Sequence, residues 1–169
     1  MAKLMICGLG RSGKDTLAEF MKNDFRSSSK IALDLFIWEE WGHIFYKTKE
    51  ECFEDRVNFR MIWKLLISQY NALDPARLGR KIFEVCDTYA GCRSILEFNT
   101  LKQEGVFDYS IWVHSDTRLQ NLTDTSCDLI REDCDIPVRN DGTLEVLKHK
   151  AHLLDAFIEH RERLNYVSN

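Results

Sequence analysis

At 169 residues, 44% hydrophobic and 30% charged, the chain has the make-up of one globular domain able to bury a sizeable core. Its formal net charge of −4 excludes any global attraction to nucleic acid or an anionic membrane, so such binding would need a local basic surface. No apolar run approaches the roughly 20 residues of a membrane span, and no secretory signal pattern opens the chain, which points to the cytoplasm.

The first predicted unit is a strand, Lys3–Cys7, a glycine-rich turn, and a helix from Asp15 to Asn23. The turn is Gly8-Leu9-Gly10-Arg11-Ser12-Gly13-Lys14-Asp15-Thr16. It fits the G-x-x-x-x-G-K-[S/T] pattern at Gly8, Gly13 and Lys14 and departs from it at Asp15. Glycines at this spacing let the backbone turn sharply and aim its N–H groups at a phosphate, and a lysine here reaches the outer phosphates. Gly8, Gly10, Arg11, Ser12, Gly13, Lys14, Asp15 and Thr16 are therefore the candidate donor-nucleotide site. The hydroxyl normally found at the Asp15 position is a magnesium ligand. Asp15 can take that role directly or through water, Thr16 can replace it, or Asp15 can simply complement the helix dipole.

Arg26–Ser29 reads as a polar turn, and Lys30-Ile31-Ala32-Leu33 as a second strand ending at Asp34. That placement puts Asp34 across a crevice from Lys14, where a carboxylate can take a proton from a hydroxyl acceptor; capping the next segment is its other role. Phe36–Trp41 is aromatic, with Trp38 and Trp41 suited to core packing or to stacking on a base. Lys49–Tyr70 shows one long amphipathic pattern, and Arg56, Arg60 and Lys64 fall on one stripe of it at i, i+4 and i+8. Such a stripe is a solvated face or a grip for an anion. Asp74-Pro75 opens a helix through Phe83.

Val85–Ala90 is a predicted third strand, followed by Gly91-Cys92-Arg93-Ser94 and a helix ending near Gly105. Val106–Val113 is a fourth strand with His114 at its end. The polar segment 114–134, carrying Arg118 and Arg131, reads as a lid-like connection whose arginines close over a phosphate or stay solvated. Asp135–Arg139 is a fifth strand at the sheet's edge, where Pro137 is tolerated, and Thr143 caps a final helix. Strands alternating with helices predict an α/β fold with a parallel sheet and a ligand site at the strands' carboxyl ends. The histidines of the last helix have no companion ligands for zinc. Six cysteines without a C-x-x-C pair, several in apolar segments, read as reduced, buried thiols.

Three of these stretches resemble phage deoxynucleoside monophosphate kinases: the loop with its Gly-Lys-Asp-Thr ending, Arg93 with Glu97 four residues on, and Val138–Leu147. The stretches Glu50–Asn58 and Asp74–Leu78 look like small phage relatives, a group that includes kinases acting on 5-hydroxymethyluracil in DNA. The resemblance implies a single P-loop kinase domain over 1–169, three layers, with helices on both faces of a five-stranded parallel sheet ordered 2-3-1-4-5. It implies ATP and Mg2+, with an acceptor-binding helical region at about 35–84. Lys14, Asp34 and Arg93 are then the catalytic candidates, Asp34, Arg56, Arg60, Arg93 and Arg118 the acceptor-binding ones, and Asp15 or Thr16 the metal ligand. The expected acceptor is a pyrimidine deoxynucleotide, first the hydroxymethyl group of 5-hydroxymethyluracil in DNA, with a free deoxynucleoside monophosphate as the alternative. A nucleotide-driven switch without transfer is a third reading. Family members carry an acid where this chain has Gly91, so no second acidic metal ligand is expected there.

Overall fold

The computed structural model describes residues 1–117 and 126–167. Five strands, β1 (Leu4–Cys7), β2 (Phe25–Ser27), β3 (Thr88–Cys92), β4 (Tyr109–His114) and β5 (Ile136–Arg139), form one sheet in the order β2-β3-β1-β4-β5. Every pairing is parallel. The expected order and edge position of β5 are those observed, and Pro137, which cannot donate to a ladder, sits on that edge strand.

Alternation along β1 explains why helices cover both faces. Met5 and Cys7 join a core with Ala32, Leu33, Ile82, Phe98 and Leu101. Leu4 and Ile6 point the other way, into a core with Leu17, Ala18, Leu147 and Ala151. On the first face lie α2 (Ser28–Ala32), α6 (Arg77–Phe83) and α7 (Ile95–Gln103); on the second lie α1 (Lys14–Phe20) and α8 (Leu144–Val167). All four β1 side chains are buried, so a one-residue slip would exchange the two faces' side chains; register is thereby fixed. Among the described residues no helix is long and apolar enough to cross a membrane.

The second strand lies earlier than the sequence predicts, and this moves Asp34. Lys30–Leu33 is helical: the Ser27 hydroxyl accepts from Lys30 N at 3.2 Å and caps α2. Buried Ala32, Leu33, Phe36 and Ile37 recur at helical spacing, which a strand could not bury on one face. α2 continues into a π-helical stretch, Leu33–Gly42, and a last turn, α3 (His43–Phe45). A Cβ at Gly42 would stand 2.9 Å from Trp38 Cε3 and 3.1 Å from Cys52 Sγ, so only glycine fits this close approach. Asp34 sits on that stretch with its side chain 48% exposed, accepting from Lys49 Nζ at 3.0 Å.

The long amphipathic pattern is two helices, α4 (Lys49–Asp55) and α5 (Arg60–Tyr70). Between them Asn58 N donates to Asp55 O at 3.0 Å and Phe59 N to Arg56 O at 3.2 Å, closing a turn. The third strand starts at Thr88 because Val85 and Cys86 still turn off α6, both donating to Ile82 O at 3.1 Å.

Ser27 thus ends an edge strand and starts a helix at one position. Ser27→Ala should lower unfolding free energy by about 1 kcal/mol, the usual cost of a lost cap, with the native spectrum retained. Urea denaturation followed by circular dichroism checks this.

Candidate active site

The loop between β1 and α1 is built on left-handed backbone. Gly8 has φ 148°, Gly13 φ 91° and Arg11 φ 66°, the last costly for a side-chain-bearing residue. Contacts as well as torsions exclude larger residues. A Cβ at Gly8 would lie 2.4 Å from Val113 O, and one at Gly13 would lie 2.2 Å from Asn140 Nδ2. Ser12 N donates to Leu9 O at 3.2 Å within the turn.

Asn140 follows β5 and was not a site candidate from the sequence. It is 3% exposed, its N donates to His114 O at 2.7 Å, and its Nδ2 donates to Ser12 O at 2.9 Å. It therefore ties the ends of β4 and β5 to the glycine-rich loop. The only sequence signal was an Asn-Asp-Gly after an edge strand, which reads equally as a plain turn.

Beside this loop opens a cavity of about 400 Å3. Its wall gathers residues from distant parts of the chain: Gly10, Arg11, Lys14 and Asp15 from the loop, Arg56, Arg60 and Lys64 from the helical region, and Arg93 after β3. The stripe arginines and lysine thus reach one cavity although Arg56 lies outside α5. Arg56 packs its guanidinium 3.7 Å from the Phe53 ring centroid and donates to Phe53 O at 2.6 Å. Burial lowers its pKa; the Asp15 carboxylate opposes that change, while Arg60 and Arg93 add to it. Arg56 thus lies near two like charges, Arg60 and Arg93, and one opposite charge, Asp15.

Lys14 is 8% exposed, and its stem passes Gly91: a Cβ there would lie 3.4 Å from Lys14 Cε and 3.0 Å from Ser28 Oγ. Gly91 has φ 101°, and its carbonyl accepts from Ser28 Oγ at 3.0 Å. The positive φ and the tight approach to Ser28 Oγ disfavour a side chain at Gly91, while the Lys14 stem lies at ordinary contact distance. Arg93 donates to Ser126 Oγ, and its carbonyl accepts from Asp128 N at 3.0 Å, so segment 126–128 is tied to the cavity's rim.

Other candidates lie elsewhere. Asp34 does not line the cavity; its place at a strand end is corrected by the helical course of 28–45, which turns it outward to Lys49. Arg118 lies outside the described residues. Arg131 meets Glu132 at 3.6 Å on the surface. Thr16 is not among the lining residues, whereas Asp15 is, and the Asp15 Oδ1 atom is buried with no hydrogen-bond partner. Among the described residues no group of three or more His, Cys, Asp or Glu is arranged to hold a metal alone. Asp15 fits a cation whose other ligands come from phosphate and water.

Sequence reasoning passed over Glu97 and Asp128 as site residues, and both line the cavity. Glu97 is 3% exposed and accepts from Tyr89 OH at 3.2 Å. Burial raises its pKa to about 7, against hydrogen bonds from Tyr89, the Gly79 N–H and Cys92 that favour ionisation.

The sheet order, the loop after its central strand and the cavity beside it define an α/β protein with an all-parallel sheet and its candidate site at the strands' carboxyl ends. No family model matches the chain, and no curated protein matches it. Among solved structures it is similar to the unliganded crystal structure of a sugar kinase from Janibacter sp. HTCC2649. The two share 13% identity over 89% of this chain and 92% of that one, with a TM-score of 0.42.

Asn140→Ala should leave the sheet intact and loosen the loop. A lost hydrogen bond of about 1 kcal/mol corresponds to roughly fivefold weaker polyphosphate binding. Titration of the folded variant with ATP measures it.

Proposed function

We propose that this protein is an ATP-dependent phosphotransferase whose acceptor carries a phosphate, and that this acceptor is a deoxynucleoside 5′-monophosphate. One observation carries the reading: Arg56, Arg60, Lys64 and Arg93 converge with Lys14 on one cavity beside the glycine-rich loop. A switch has no use for a second cationic wall beyond its own nucleotide. A transferase with an anionic acceptor needs it, because two polyanions must be brought together before any phosphoryl group moves.

In this reading the loop amides and Lys14 hold the donor's outer phosphates. Arg56, Arg60 and Lys64 hold the acceptor's phosphate, and Arg93 stands between them. An acceptor phosphate oxygen attacks the γ-phosphorus in line, the bond to the β–γ bridging oxygen breaks, and ADP leaves. The acceptor oxygen is already ionised at neutral pH, so no general base is required. Asp15 would hold Mg2+, which neutralises charge on the donor phosphates when bound. The helical region 35–84 supplies the acceptor's grip, and segment 114–134 contributes Ser126 and Asp128 to the rim.

Transfer to 5-hydroxymethyluracil in DNA is a weaker reading of this site. A hydroxyl acceptor benefits from a nearby carboxylate, and Asp34, offered for that work from sequence, is outside the cavity. A place in phage nucleotide metabolism rests on the resemblance of the loop, the Arg93 segment and the last strand and helix.

Labelled ATP offered to the four deoxynucleoside monophosphates and, separately, to DNA containing 5-hydroxymethyluracil tests the proposal. Label is expected in deoxynucleoside diphosphates; label in DNA alone, or in neither, overturns it. Lys14→Ala should lower turnover by about 10²-fold or more in a folded protein, since a group facing the transferred charge carries a few kcal/mol. Arg60→Ala should raise the KM for the acceptor at least tenfold while changing that for ATP less than twofold. Initial rates with each substrate varied in turn check this split.

A further inference from the structure

The chemistry above uses the cationic wall and leaves Glu97 without a task. Yet the molecule takes trouble to keep a carboxyl there. Glu97 on α7 is 3% exposed, and its neighbours on the cavity's buried wall are Trp63, Leu78 and Tyr89, none above 4% exposed. Gly79 on α6 makes the room: a Cβ there would lie 3.1 Å from Glu97 Oε1 and 2.4 Å from Leu101 Cδ1. Phe53 sets the Trp63 ring, with centroids 6.3 Å apart and planes at 66°. The result is a buried stretch of wall, Trp63, Leu78 and Tyr89 around the Glu97 carboxyl, in the same cavity as the arginines.

A charged phosphate does not suit this stretch, and neither does a sugar, whose hydroxyls would need several polar partners. A neutral planar ring does suit it. We propose that Glu97 is the specificity residue for the acceptor's ring, its carboxyl accepting a hydrogen bond from an N–H of a nucleobase lodged against Trp63 and Leu78. The inference deepens the nucleotide-acceptor reading and rests on it. The phosphate is held by the arginine wall, and the base is read by Glu97 inside.

Tyr89 OH already donates to Oε1, which orients the carboxyl and biases it toward the accepting form. Around it lie Tyr89 and Cys92 of β3 and the Gly79 N–H of α6. Besides Glu97, the charged groups of the shared cavity wall are Arg11, Lys14, Asp15, Arg56, Arg60, Lys64, Arg93 and Asp128. An ionised carboxylate is the stronger acceptor, so affinity for the base-bearing substrate strengthens as pH rises through about 7, where Glu97 ionises. The acceptor's own phosphate titrates near pH 6 by the general behaviour of phosphate monoesters, and that part of the profile does not depend on Glu97.

The experiment compares wild type, Glu97→Gln and Tyr89→Phe, each checked for native circular dichroism, with the four deoxynucleoside monophosphates and with 2-deoxyribose 5-phosphate, which lacks a base. Wild type should prefer its best nucleotide over the abasic phosphate by at least 100-fold in kcat/KM. Glu97→Gln should lose at least tenfold of that preference, with the KM for ATP and the weak reaction of the abasic phosphate unchanged. Its acceptor KM should lose the pH step near 7 and keep the one near 6. Tyr89→Phe removes a hydrogen bond that favours the ionised form, so its step should move to higher pH. A folded Glu97→Gln with wild-type preference and an unchanged pH profile overturns the inference while leaving the kinase reading standing. A wild type that phosphorylates none of the nucleotides overturns both.

Discussion

The constraint on which the site depends is the left-handed turn between β1 and α1. Three residues in six, Gly8, Arg11 and Gly13, adopt positive φ, and one of them carries a side chain. Such a turn persists only when its surroundings over-determine it. Here the surroundings are specific. Val113 O closes on Gly8, and Asn140 reaches from the end of β5 to Ser12 O while its backbone holds His114 O. The strand order matters for that reason: β4 and β5 lie beside β1 on one side, and their carboxyl ends deliver Val113, His114 and Asn140 to the loop. On the other side β3 delivers Gly91 and Arg93. The sheet is a frame that brings the ends of β4 and β5 to one flank of the turn and the end of β3 to the other.

Gly91 shows how a single position links backbone, core and charge. Its left-handed φ and the Ser28 Oγ that a Cβ would meet at 3.0 Å disfavour a side chain, and the Lys14 stem passes at ordinary contact distance. Lys14 is 8% exposed and still lines the cavity. The N-cap at Ser27 takes part in the same arrangement. It ends β2 after three residues and starts α2, which places Ser28 over Gly91.

How much of this was legible depends on whether the signal was local. The glycine-rich loop and the edge role of Pro137 were readable because torsion and hydrogen-bond capacity belong to the residues themselves, whereas the strand order came from the resemblance alone. Arg56, Arg60 and Lys64 were found together, although by a spacing argument that assumed one helix where there are two. Asp34 was misplaced because Lys30–Leu33 carries apolar residues that serve strand or helix equally. The deciding partners, Phe36 and Ile37, continue the helical spacing from beyond the segment. β2 itself left little trace, since Phe25 and Ser27 are half-buried and Arg26 is exposed on an edge. Asn140 and Glu97 were invisible as site residues for a different reason. Each acts on a partner far along the chain, Ser12 and the cavity wall, and nothing beside it in sequence records that.

Charge and burial divide the cavity into two environments, and the division follows from where each group's backbone sits. Arg56, at the end of α4, and Arg60 and Lys64 on α5 are none of them fully buried, so solvent screens them in part. Clustering there is tolerable: Arg56 loses basicity to burial and to Arg60 and Arg93, and recovers part of it from Asp15 and from stacking on Phe53. Glu97 comes from α7, packed on the sheet, and has no such screen. Burial therefore holds it near the point of ionisation at neutral pH, and hydrogen bonds from Tyr89, Cys92 and the Gly79 N–H keep the charged form within reach. In the helical region the carboxyl would have been an ordinary surface acid. Placed on α7, it offers a hydrogen-bond acceptor on the buried wall, so that under the proposed reading the cavity discriminates a phosphate by charge and a ring by its edge.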